Sequence, residues 1–150
     1  MRLTKRYIIF SLNNLQLSNP IRYERYYINE NLRIQKKNNQ FEKENLANNI
    51  VINKEIITAK EFNAYRKNAT NYIIRDSYLY LKDNRISIKK YYQKYSPLIR
   101  VEVTFETEEE MRNYQKENWM GMEITNTPLA FDKDLSNLTR KEFLKEIKKY

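Results

Sequence analysis

A chain with no histidine and no cysteine lacks the commonest general base, the commonest zinc ligand and all thiol chemistry. Carboxylates, Lys, Arg, Tyr and hydroxyls remain. A single glycine excludes Gly-rich phosphate loops and the dinucleotide fingerprint. The informative polar residues instead recur at every second position. Arg2, Thr4 and Arg6 oppose Leu3, Lys5, Tyr7 and Ile9, and Arg33, Gln35 and Lys37 oppose Leu32 and Ile34. Arg75 and Ser77 share a face. Arg85, Ser87 and Lys89 oppose Ile86 and Ile88, while Arg100, Glu102, Thr104 and Glu106 oppose Val101, Val103 and Phe105. Period two is the strand period, so each run carries a polar stripe on one face and an apolar stripe on the other. Guanidinium-rich stripes suit oxyanions, because the Arg fork binds phosphate bidentately.

Most of the chain reads as the strands these stripes require. Arg2 to Phe10, Ile21 to Ile28, Asn31 to Lys37, Ile50 to Ile56, Ile73 to Lys82, Arg85 to Tyr92 and Leu98 to Glu106 are rich in Ile, Val and Tyr. Asn38 to Asn49 is the most polar stretch, and its two Asn-Asn pairs suit turns flanking a short strand. Asp83-Asn84 reads as a tight hairpin turn. Thr58 with Glu61, Thr107 with Glu110 and Thr139 with Glu142 are capping boxes that announce three helices, and Ile57 with Phe62 and Leu138 with Phe143 add hydrophobic staples. The strand count and the lack of long crossovers favour an antiparallel α+β barrel over a doubly wound sheet. Periodicity leaves the stripes open to two arrangements. In the commoner one the polar face of a half-buried sheet meets water; in the other the polar faces converge inside a closed barrel.

Composition sets the outer bounds. The 150 residues suit one domain, 41% of them are hydrophobic, and no apolar run reaches the length of a membrane span. The apolar part of MRLTKRYIIFSL is too short for a signal-peptide core, and the absence of Cys gives no argument for an oxidising compartment, so a cytoplasmic protein is expected. Twenty-eight Lys and Arg against nineteen acids leave a charge of +9. That balance favours polyanionic partners, although Lys- and Asn-rich composition also tracks low G+C coding sequence. Tyr23, Tyr26, Tyr27, Tyr78, Tyr80, Tyr91, Tyr92 and Tyr95 lie in or beside strands, where sheet packing is a commoner role than base stacking. Glu108 to Glu110 sit in a first helical turn and the final KEIKKY in a helix end, both suited to the helix dipole.

Two motifs carry a resemblance. Glu102-Val-Thr-Phe-Glu-Thr-Glu-Glu-Glu110 resembles the last tunnel strand and capped helix of the CYTH family, the triphosphate-tunnel enzymes that include thiamine and inorganic triphosphatases and a class of adenylate cyclases. Trp119-Met-Gly-Met-Glu-Ile-Thr125 resembles the family's W-x-G-x-E-[VI]-T, and Pro128 to Leu135 resembles the tail that follows it. Other segments match in order and length over nearly the whole chain, but weakly residue by residue. The departures concern the metal. Where the family opens with E-x-E-x-K, this chain has Arg2-Leu-Thr-Lys-Arg6; Thr104 replaces the second Glu of the last strand, and Lys89 stands where an acid is expected. Arg75 matches the Lys of the family's K-x-R strand with Ser77 in place of its Arg, and Arg33 survives from an R-x-R pair whose other member is Gln35.

The resemblance implies an antiparallel β-barrel, or tunnel, of about eight strands with a few flanking helices, formed by residues 1–150 as a single CYTH-like domain. It also implies a ligand-binding set of Arg2, Thr4, Arg6, Arg33, Gln35, Arg75, Ser77, Lys89, Arg100, Glu102 and Thr104. With Glu102 the clearest remaining carboxylate, metal affinity should collapse while anion affinity persists, so no metal, cofactor or catalytic residue is expected. The expected partner is a phosphorylated small molecule, such as a nucleotide, a cyclic nucleotide signal or a triphosphate, with nucleic acid as a further polyanion. No membrane is expected, and the oligomeric state is not readable. A small binding-only domain would suit sequestration of a signalling nucleotide, for instance by a viral protein blunting a host defence. Two other readings are a divergent metal-dependent triphosphatase using Glu55, Glu102 and Glu106, and a basic RNA- or protein-binding module that uses no tunnel.

Overall fold

The computed structural model describes residues 3–48 and 50–150, and Arg2 of the expected site lies outside them. Eight strands form an antiparallel sheet in the order β1-β8-β7-β6-β2-β3-β4-β5. They are β1 (Leu3–Ile9), β2 (Ile21–Asn29), β3 (Leu32–Lys37), β4 (Gln40–Ala47), β5 (Ile50–Ile56), β6 (Asn71–Leu79), β7 (Ile86–Tyr91) and β8 (Ile99–Phe105). The helices are α1 (Ala59–Arg66), α2 (Glu108–Asn113), α3 (Asp132–Ser136) and α4 (Arg140–Ile147), giving an α+β fold. The expected strand count holds, but hydrogen bonds do not close the sheet: β1 and β5 end the order. By compactness the chain divides into residues 1–20 with 76–150, and residues 21–75.

In the first unit, β8 lies between β1 and β7, with Arg6 opposite Glu102 and Ser87 opposite the same Glu102. The apolar faces carry Tyr7, Ile9, Ile86, Ile88, Val101, Val103 and Phe105, which pack with Met120, Trp119 and Tyr114 into one core. The Trp119 heptad runs along the outer edge of β1. Gly121 donates its N–H to Ile8 O (2.9 Å), Ile8 donates to Met122 O (3.0 Å), and Ile124 donates to Arg6 O (2.8 Å). Glycine is required there by contact, since a Cβ on residue 121 would fall on the Ile8 carbonyl oxygen. Trp119 packs on Tyr80 at 5.1 Å, and both rings donate to the Glu117 carboxylate.

In the second unit, β2 to β5 form a meander. Its turns use the asparagines that the sequence offered: Asn38 (φ 51°) and Asn48 (φ 51°) take the left-handed conformation that Asn tolerates. The stretch that suggested a short strand holds eight residues of β4. On one face Ile34 packs with Ile57 and Phe62 beneath α1, so the first staple residues share a core.

The caps form with one variation. Thr58–Glu61 and Thr139–Glu142 are complete boxes, whereas Glu110 accepts from the Glu106 N–H while Thr107 caps its own helix. The Asp83-Asn84 turn is wider than a two-residue hairpin. Tyr80 N–H donates to Ile86 O (3.1 Å) around residues 81–85, and Asp83 accepts from both the Arg85 backbone and its guanidinium. The short α3 was not foreseen, because its N-cap Phe131 makes no side-chain cap bond. No helix among the described residues is long and apolar enough to cross a membrane.

Gly121→Ala must push two backbone segments apart. It is expected to lower the unfolding free energy by about 1–3 kcal/mol, measured by urea titration, while Met122→Ala, at an exposed position of the same segment, changes it little.

Candidate functional site

Much of the polar stripes does not face water. Thr4, Arg6, Arg100 and Glu102 in the first unit, and Gln35, Glu42, Glu44 and Arg75 in the second, are buried, while Arg85 and Glu106 at the strand ends are exposed. Burying a charged group is costly unless it is paired and hydrogen-bonded. The partners therefore define what each stripe can do.

In the first unit the register places Arg6, Glu102 and Ser87 in one row across β1, β8 and β7. Glu102 lies 3.5 Å from the Arg6 guanidinium and 3.2 Å from Lys89 Nζ. Arg6 also donates to Thr4 Oγ1 and lies 4.1 Å beneath the centre of the Phe131 ring, and Lys89 donates to Ser87 Oγ at 2.9 Å. Two cations thus share one carboxylate on a face that also carries hydroxyls. One row away, Arg100 donates to Leu129 O (3.1 Å) and Asp132 Oδ1 (3.2 Å), and Asp132 accepts from the Tyr91 hydroxyl as well. This guanidinium ties β8 to the segment entering α3. Thr104 is half-buried opposite Thr4, and Ser77 is half-buried on β6.

In the second unit, Arg25, Gln35, Glu42 and Ile56 form one cross-strand row, and Tyr27, Arg33, Glu44 and Lys54 the next. Arg33 bonds Glu44 at 3.0 Å. Arg25 donates to Gln35, Gln35 to Glu42 (2.6 Å), and Gln40 to the other Glu42 oxygen (2.8 Å), which Lys54 also approaches at 3.2 Å. Burial pushes the Glu42 carboxyl up, but the bonds from Gln35, Gln40 and Lys54 together outweigh it and hold it below the ordinary range. Beside this row Tyr23 gathers cations: Arg75 lies 4.6 Å from its ring centre, Arg25 5.3 Å and Lys37 6.0 Å.

The donor set does not fit a divalent metal. Such an ion needs several oxygen ligands anchored by carboxylates, whereas Glu102 is held by two cations, and the described residues contain no group of three or more acidic side chains able to hold a metal. Glu55, named for a metal-dependent alternative, is exposed and bonded to Lys43 at 2.7 Å; Glu106 is exposed beyond the end of β8. Sequence reasoning missed Glu42, Glu44, Arg25, Ser87, Asp132 and Phe131. The first two were findable, since Gln40, Glu42 and Glu44 alternate with Phe41 and Lys43, but the stretch was read only as a short strand between turns and its faces were not weighed.

No protein-family model matches the chain, and no curated protein matches it. Solved structures do. The crystal structure of the inorganic triphosphatase NE1496 superposes with a TM-score of 0.76 at 16% identity, covering 91% of this chain and 94% of that one. A second crystal structure, of the hypothetical protein NE1496, gives the same score and identity over 91% of this chain and 97% of its own. The likeness supports the CYTH-like triphosphate-tunnel fold that the Trp119 heptad and the Glu102 strand implied.

Glu42 supplies a pH test. Its folded-state pKa lies below the unfolded value of about 4.3, so its contribution to stability is full above that range and is lost as pH falls through the folded value. Glu42→Gln is expected to flatten the acid limb of a stability-versus-pH curve measured by urea unfolding between pH 7 and pH 3. An unchanged acid limb would show that Glu42 titrates alike in both states.

Proposed function

We propose that this protein binds a phosphorylated small molecule through its buried basic stripes and does not turn it over with a metal. The reading rests on one observation: Glu102, which matches a Glu of the family pattern, is held between Arg6, which matches the pattern's Lys, and Lys89, which stands where the pattern has an acid. A guanidinium and an ammonium supply charge and donors to an oxyanion without polarising a water for attack. In the first unit the candidate ligand residues are Thr4, Arg6, Ser77, Lys89, Arg100, Glu102 and Thr104, with Arg2 added from the sequence; in the second, taken by itself, they are Arg33, Gln35 and Arg75. The candidate ligands are a nucleoside triphosphate, a linear or cyclic nucleotide signal, or a short polyphosphate. Binding without turnover suits sequestration, the role a viral protein would use against a nucleotide-signalled defence.

Glu102→Gln separates this reading from a metal-dependent one. Removing the charge frees Arg6 and Lys89 for the ligand, so tripolyphosphate affinity measured calorimetrically in EDTA is expected to hold or to rise by up to about tenfold, worth ~1.4 kcal/mol. A metal-dependent site, titrated with Mg²⁺ in place of EDTA, would lose affinity with the same change. Arg33→Ala and Arg75→Ala are each expected to weaken binding at least tenfold while leaving a cooperative melt. Sustained phosphate release from tripolyphosphate or a nucleoside triphosphate with Mg²⁺ or Mn²⁺ would overturn the proposal.

A further inference from the structure

We infer that β5 is a self-association edge, through which two copies of this chain pair antiparallel about Asn53. The two ends of the strand order are treated differently. The outer edge of β1 is covered by the Trp119 heptad, whose backbone bonds it at Ile8 and Arg6. β5 pairs with β4 on one side and ends the order on the other. All seven of its residues are exposed, and four are β-branched aliphatics: Ile50 is 65% exposed, Val51 39%, Ile52 66% and Ile56 72%. A long edge strand of this composition is a template for another strand.

Folded proteins guard such edges with prolines or with charges left standing in water. This strand has no proline, and its two charges, still 44% and 50% exposed, each pair with a residue of β4. Lys54 bonds Glu42 at 3.2 Å, and Glu55 bonds Lys43 at 2.7 Å. Around these two ion pairs the rim carries the exposed side chains of Ile50, Val51, Ile52 and Ile56, on the strand that ends the sheet order.

The sequence of the strand selects the occupant. Ile50-Val-Ile-Asn-Lys-Glu-Ile56 is self-complementary when read against its own reverse about Asn53. Ile50 then meets Ile56 at both ends, Ile52 lies beside the aliphatic stem of Lys54, Val51 faces Glu55, and Asn53 meets its own copy on the axis. No like charges stand opposite. Moving the axis one residue to Lys54 sets lysine against lysine, a destabilising cross-strand pair. A two-fold contact of this kind uses the same patch on both copies and closes at a dimer, because the edge is consumed.

Absence of native cysteine makes the register directly readable. In the Asn53→Cys variant the two introduced thiols fall opposite each other across the axis, within the separation that a disulfide bridges. Mild oxidation is expected to convert the 18.4 kDa chain to a covalent dimer at least tenfold faster than it converts Lys60→Cys, an exposed position on α1. Sedimentation of the unmodified protein is expected to show twice the monomer mass at raised concentration. Ile52→Lys, which sets a second lysine opposite Lys54 of the partner subunit, is expected to return it to 18.4 kDa with its melting temperature unchanged. Equal cross-linking rates for the two cysteine variants would overturn the inference, as would a monomer at every concentration or a dimer that survives Ile52→Lys.

Discussion

The constraint on which the rest depends is that β1 and β8 bury both of their faces. An antiparallel strand usually buries one side and wets the other, and alternating polar and apolar residues normally record that division. Here the alternation is present but the polar side is as dry as the apolar one: Arg6, Arg100 and Glu102 are as inaccessible as Tyr7 and Ile9. A dry guanidinium must find partners, and the chain provides them from two places. Glu102 comes from the neighbouring strand at the matched register position. Asp132 and the Leu129 carbonyl come from the segment entering α3, and the Phe131 ring lies over Arg6. The short helix and its approach thus complete the electrostatics of β8, some thirty residues earlier, and of Arg6 near the start of the chain.

That dependence explains which parts of the architecture were legible in the sequence. Period-two patterning reports the strand and its two faces, because side-chain direction is a local property of the backbone. Capping boxes are equally local, and two of the three form in full. The Asn-Asn pairs announced their turns because Asn adopts positive φ at low cost, and the Gly121 contact follows from a motif holding the chain's one glycine. Patterning could not report whether a polar face is wet. That depends on elements distant in sequence, and periodicity favoured the solvent-facing arrangement which the burial of Arg6, Arg75 and Glu102 overturns. Nor could it identify Glu42 and Glu44 as members of a buried network, since their value lies in the register of β4 against β3. The loop at residues 81–85 was misread because Asp83 serves as an acceptor for Arg85 rather than as a corner of a two-residue turn.

The same constraint bears on the chemistry. A divalent ion in a carboxylate cage is an exchangeable charge, present only when bound, and its ligands must stay free of competing cations. Lysine and arginine built into the chain are permanent charges. Once Arg6 and Lys89 flank Glu102, the carboxylate is already paired on both sides, and an incoming cation would have to displace a guanidinium and an ammonium from a dry environment. Oxyanion binding faces the opposite balance. An incoming phosphate competes with a single carboxylate for two donors, and each donor it captures is already oriented by a hydroxyl, Thr4 for Arg6 and Ser87 for Lys89. Preorganised donors lose little freedom on binding, which is where affinity for a compact polyanion is gained. On the binding reading proposed above, Glu102 holds the place between Arg6 and Lys89 that an external anion would take.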